Sequence, residues 1–181
     1  MSKTHLIINN FFTHPKEIAK YALKQKFYTK ENHPYKTTLG EFPGHRTNFI
    51  NNLDTKVYNK LCGMISNAIK IFLEEDFSYA DCWISFSYTT KDIKTPQWHI
   101  DSEGEDNYRH KIAGIIYLNE EADPSSGTCI MGDKNKKGYN CSNEFNKLFM
   151  YRADITHSAM GTFGTKKSDA RLTNTFLFSI K

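Results

Sequence analysis

Lys111-Ile112-Ala113-Gly114-Ile115-Ile116-Tyr117-Leu118-Asn119 reads as a β-strand that is apolar on both faces. A strand wet on one side alternates apolar and polar residues. One without that alternation is covered on both sides, as a central strand of a layered core is. Period two places Ala113, Ile115 and Tyr117 on one face. The strands expected around it lie at 79–90, 97–102, 127–131, 147–152, 155–160 and 171–180, all short and rich in β-branched or aromatic residues. Between them, Glu120 to Ser126 is a turn and Arg152-Ala153-Asp154 a tight one. Gly132 to Gly138 is a polar loop with three lysines, expected as a solvated tip. On the last strand Arg171, Thr173 and Thr175 share a face.

Upstream the pattern differs. Residues 5–12 read as a strand entering a turn. Thr13 and Pro15 open a helix over 15–27, with Ile18, Ala19, Ala22 and Leu23 at helical spacing. Tyr28 to Asn52 is irregular and punctuated by Pro34, Gly40, Pro43 and Gly44. Arg46 in this loop reads first as a solvated arginine and second as a cation reaching a substrate. Asp54 caps a second helix running to about Glu75, with an apolar stripe from Val57 to Leu73. The fold class is therefore mainly β with flanking α: two sheets in a jelly roll, with N-terminal helices packed on one sheet. One domain is expected over 1–181, a helical flank over 1–78 and a β core over 79–181.

Composition narrows the class. The 181 residues are 39% hydrophobic and 14% aromatic, and the net charge is +4. That suits a globular chain and is too mild to argue for nucleic acid, although it does not exclude it. Cys62, Cys82, Cys129 and Cys141 are widely spaced, with no Cys-x-x-Cys pair for zinc. No secretory leader or membrane-length apolar run is visible, so a soluble cytoplasmic protein with free thiols is expected, its oligomeric state open.

The chemistry centres on His99-Ile100-Asp101. In an extended segment His99 and Asp101 share a face, so an imidazole and a carboxylate converge. His157, far downstream, completes a two-His-one-carboxylate set. Such a set holds non-haem Fe(II) on one side and leaves the other open, here for a 2-oxo acid and O2. Arg171 begins the last strand, and its forked donors suit the distal carboxylate of a dicarboxylic co-substrate. Singly, His157 is equally a core histidine and Arg171 a strand-edge cation near Asp169. The acidic loop Ser102 to Tyr108 lacks the ligand spacing of a calcium loop and reads as solvated, with His110 as a loop residue.

From about residue 79 to 180 the sequence resembles the Fe(II)/2-oxoglutarate-dependent oxygenases, more closely the prolyl-4-hydroxylase-like branch. The resemblance rests on His99-Ile100-Asp101, the strand ending Ile116-Tyr117-Leu118-Asn119, Ser126-Gly127-Thr128 after it, His157, and Arg171. It implies a double-stranded β-helix, a distorted jelly roll. It implies Fe(II) on His99, Asp101 and His157, and 2-oxoglutarate contacted by Arg171, Tyr117, Tyr88 and Thr173. The reaction implied is hydroxylation of a substrate C–H bond with release of succinate and CO2, ascorbate serving as a candidate reductant. The branch suggests a peptidyl side chain; a free amino acid or other small molecule is equally open. The gap from His157 to Arg171 is longer than usual in that branch, and Lys166 or Lys167 is an alternative anchor. The rival readings are a jelly-roll binding or structural module without catalysis, and a jelly-roll metalloenzyme that does not use 2-oxoglutarate.

Overall fold

A computed structural model of the chain describes residues 3–35, 42, 44–95, 97–101, 110–132 and 138–181. Among the described residues, ten strands form two antiparallel sheets. The strands are β1 (His5–Ile8), β2 (Phe27–Tyr28), β3 (His45–Thr47), β4 (Tyr79–Thr89), β5 (His110–Tyr117), β6 (Thr128–Ile130), β7 (Tyr139–Cys141), β8 (Leu148–Arg152), β9 (His157–Ala159) and β10 (Arg171–Ile180). The larger sheet runs β1-β8-β5-β10-β4-β3-β2, and the smaller runs β7-β6-β9.

Among the described residues, two α-helices precede β4. Helix α1 (Pro15–Lys24) begins with Pro15, whose missing N–H is no loss in a first turn. Thr13 is not its cap; His14 holds that position, without a side-chain bond. The helix stops before 27 because Phe27 and Tyr28 pair with Thr47 and Arg46. Helix α2 (Thr55–Leu73) is capped as expected: Asp54 Oδ1 accepts the Val57 N–H at 3.0 Å. It ends one turn-residue early, at Glu74, whose φ of 61° is left-handed.

The larger sheet is apolar on both faces, and strand alternation divides it between two cores. Ile84, Phe86, Ile112, Ile116, Met150, Phe176 and Phe178 meet Leu61, Ile65 and Ile69 of α2. Each of those three helix residues is fully enclosed, worth about 2 kcal/mol over leaving it in water. The opposite residues of the same strands, Ala113, Tyr117, Phe149 and Tyr151, face the smaller sheet through Ile130 and Cys141. Gly114 faces the helical side, where a Cβ would stand 2.3 Å from Phe176 Cζ. The central-strand reading of 111–119 and the helices on one sheet are thus both realised.

The differences lie in short strands. Residues 97–101 form no strand; an isolated bridge joins His99 to His157. β7, which was not among the expected strands, follows the polar loop because Asn140 and its neighbours pair with β6. The N-terminal part is more than a helical flank, since it gives β1, β2 and β3 to the larger sheet. The acidic loop at 102–108 and the lysines of the 132–138 loop lie outside the described residues.

Candidate metal centre

The bridge that replaces the expected strand builds the site. His99 N–H donates to His157 O at 3.0 Å, and His157 N–H returns to His99 O at 2.9 Å. Asp101 N–H donates to Ala153 O at 3.0 Å. These bonds lay the His99-Asp101 segment along β9 and its incoming turn. His99 and Asp101 then project from one side, as the spacing of two requires. Asp101 Oδ1 stands 3.6 Å from His99 Nε2, and Oδ2 stands 3.4 Å from His157 Nε2. One ligand atom from each of the three residues falls within 4.8 Å of the others. Ligands about 2.1 Å from one metal at right angles stand roughly 3 Å apart, so a small inward adjustment closes the set.

The histidine tautomers are decided by backbone carbonyls. His99 Nδ1 lies 2.9 Å from Gln97 O, and His157 Nδ1 lies 3.0 Å from Ile155 O. A carbonyl only accepts, so each Nδ1 carries the proton and each Nε2 presents its lone pair to the shared point. Such carbonyl partners fix the rings of metal-bound histidines generally. His157 is buried, and its desolvation keeps the imidazole neutral by lowering its pKa, with Asp101 opposing and His99 assisting. His99 and Asp101 are exposed among the described residues. The residues fit a divalent metal with nitrogen and oxygen ligands and free positions.

Arg171 opens β10, buried between the sheets. Its Nε donates to Ser126 O at 2.6 Å, and its Nη2 reaches Gly127 O at 3.4 Å and Thr128 Oγ1 at 3.2 Å. The guanidinium sits 5.5 Å from the Tyr117 ring centre. Tyr117 donates its own hydroxyl to Thr128 Oγ1 at 2.8 Å. Burial pushes the Tyr117 phenol up and Arg171 down. Thr173 is opposite Tyr117 on β5 and Ser87 on β4, so all three share the inward face. Arg171, Thr173 and Tyr117 are brought together. Lys166 is exposed, and Lys167 Nζ lies over the Phe27 ring at 5.6 Å.

Two expectations change. Tyr88 does not face the site. It packs on the helical side, with Phe27 at 4.9 Å and stacked on His45 at 4.4 Å. The strand's alternation gives the inward place to Ser87, one residue away. Arg46 is not a solvated loop arginine. It sits on β3 opposite Ser87, donates Nε to Ser87 Oγ at 3.3 Å, and lies 4.3 Å from the Phe42 ring centre. Its pKa is pushed down to about 10 by burial, with the Asp101 charge acting in the opposite direction. The signal for Arg46 was the alternation His45-Arg46-Thr47, hidden by the surrounding Gly and Pro. Thr128 was legible as part of the Ser126-Gly127-Thr128 turn. His110 begins β5, and its side chain lies outside the described residues.

No protein-family model matches the chain, and no curated protein does. Solved structures do match. A Pseudomonas putida prolyl-4-hydroxylase superposes with a TM-score of 0.67 at 16% identity, over 98% of this chain and 93% of the other. A Trichoplax adhaerens prolyl hydroxylase, in complex with a hypoxia inducible factor peptide fragment, gives 0.67 at 12% identity, over 97% and 83%. HygX from Streptomyces hygroscopicus, with nickel and 2-oxoglutarate bound, gives 0.64 at 10% identity, over 98% and 83%. The chain has the fold of these enzymes, a double-stranded β-helix with helices on the larger sheet.

Proposed function

We propose that the chain is a non-haem Fe(II)- and 2-oxoglutarate-dependent dioxygenase. It hydroxylates a C–H bond of a peptidyl or small-molecule substrate and releases succinate and CO2, with O2 as co-substrate and ascorbate as a reductant. The observation that carries this reading is the convergence of His99, Asp101 and His157, with both Nε2 atoms freed by carbonyl-bound Nδ1 groups. A ferrous ion held there supplies the oxygen activation that side chains cannot.

The chain's own residues do the positioning. His99 and His157 offer neutral nitrogens, and Asp101 contributes the single negative charge. Arg171 takes the distal carboxylate of 2-oxoglutarate, with Tyr117 and Thr173 beside it. Its bonds to Ser126 and Thr128 hold the guanidinium in place before the co-substrate arrives, so little freedom is lost on binding. Tyr88 has no part in this set. The whole of 1–181 is read as one oxygenase domain. A reducing, cytoplasmic setting accords with four cysteines that are buried and unpaired. No helix among the described residues is long and apolar enough to cross a membrane.

The test is anaerobic. Fe(II) and then 2-oxoglutarate are added to the metal-free protein, and the visible metal-to-ligand charge-transfer band of the chelate is followed. The band is expected in the wild type and absent in Asp101→Ala. Arg171→Gln should raise the 2-oxoglutarate Kd at least tenfold while iron still binds. Iron binding without any band overturns the 2-oxoglutarate assignment; no iron binding overturns the metal site.

A further inference from the structure

Metal and co-substrate leave Arg46 without a task. Arg46, Ser87, Thr173 and Tyr117 are successive neighbours across β3, β4, β10 and β5, so Arg46 extends the inward row that contains the co-substrate residues. Adjacent strands lie roughly 4.8 Å apart, which places the Arg46 backbone about 10 Å from Thr173. It stands on the far side of that row from Tyr117. The residues proposed for the co-substrate, Arg171, Thr173 and Tyr117, lie toward the other end of that row.

The guanidinium is set for a ligand. Ser87 Oγ takes the Nε–H, and the Phe42 ring supports one flat side. Those contacts leave Nη1 and Nη2, the parallel pair that grips a carboxylate. Among the described residues no carboxylate touches them. Asp101 acts only through space, and the net effect of the surroundings is to push Arg46 down to about 10. A guanidinium in contact with a carboxylate is held up instead. At neutral pH the group is a charged, partly accessible cation. In the loaded site the divalent ion, Asp101, dianionic 2-oxoglutarate and Arg171 cancel. Arg46 then adds one positive charge in excess.

We propose that the substrate carries a carboxylate and that Arg46 receives it, fixing the reactive carbon over the open side of the metal. The proposal rests on the oxygenase reading of the same site. The carboxylate has two possible sources, the main-chain carboxylate of an amino-acid-like molecule or an Asp or Glu side chain within a peptide. The recognition chemistry is the same for both.

The experiment uses Fe(II)- and 2-oxoglutarate-loaded protein without oxygen. Two probe series are titrated by calorimetry and by perturbation of the charge-transfer band. One is a set of N-acetyl amino acids, each paired with its amide. The other is a set of short amidated peptides containing Glu, each paired with Gln. The acid of each productive pair is expected to bind at least tenfold more tightly. The series in which that occurs identifies the source. Arg46→Gln should remove the preference, and Arg46→Lys should restore part of it. In both variants the 2-oxoglutarate Kd should stay within about twofold of wild type, which also reports an intact site. Equal binding of acids and amides overturns the proposal, as does absence of binding in both series. A preference that survives Arg46→Gln overturns it too. A lost 2-oxoglutarate affinity in Arg46→Gln places Arg46 on the co-substrate and overturns it as well. A wild type with no band refutes the oxygenase reading instead, and calorimetry on the iron-loaded protein still reads the acid–amide difference at Arg46.

Discussion

His45 shows how one side chain couples the site's edge to pH. Its ring is stacked on Tyr88 with planes 5° apart, and its buried Nδ1 has no hydrogen-bond partner among the described residues. Burial lowers its pKa below the ordinary 6.5. The unfolded chain therefore takes up the proton more readily. Stability contributed by neutral His45 is complete above 6.5 and declines as the pH falls from 6.5 toward the lowered value. His45→Phe keeps the stack and removes the titration. Between pH 7.5 and 5.5 its Tm should fall less than that of the wild type, with a residual decline from His5 and His157, which burial also lowers. Parallel Tm profiles for the two proteins would show that His45 does not couple to folding. At this scale the sequence was partly legible. The convergence of His99, Asp101 and His157 was anticipated from residue type and spacing. Tyr88 was misplaced because one residue of strand register decides which side of a sheet a side chain occupies, and Arg46 because its short strand lies hidden among Gly and Pro.

Among the elements, the turn into β6 ties co-substrate binding to packing. Gly127 has a negative φ, −71°, outside the left-handed region, and what it needs is space. A Cβ there would lie 1.8 Å from Cys141 O, and that atom belongs to the backbone of β7. The same residue offers its carbonyl to Arg171 Nη2 and to Met160 N–H. Gly127→Ala must therefore separate β6 from β7 and move the acceptor. A loss of about 1–3 kcal/mol is expected, a Tm lowered by on the order of 5 °C, together with weaker 2-oxoglutarate binding. Thermal unfolding and the charge-transfer titration check the two effects separately; an unchanged Tm would mean that β7 yields without cost. Long elements were readable because many residues vote for them: α2, β4, β5 and β10 appear close to their expected bounds. β2, β3 and β7 have two or three residues each and exist through their partners, so no local pattern announces them.

Over the whole molecule, the two-layer core was legible from the doubly apolar strand at 111–119, because a strand without alternation needs cover on both sides. The sheet order was not, since pairing among distant strands is set by packing across the sheets. The reciprocal bridge between His99 and His157 has a consequence for kinetics. It joins residues far apart in the chain, so it closes a long loop, and contacts of that kind are costly to form early in folding. A metal added at that junction acts as a latch fastened after the sheets have assembled. It should lengthen the life of the folded state and leave the speed of reaching it almost untouched. In stopped-flow denaturant experiments, saturating Mn(II) should slow unfolding at least tenfold and change refolding less than twofold. Asp101→Ala should abolish the difference. Refolding accelerated as strongly as unfolding is slowed would place the three ligands together already at the barrier, with the metal as a seed of the fold and no longer its clasp.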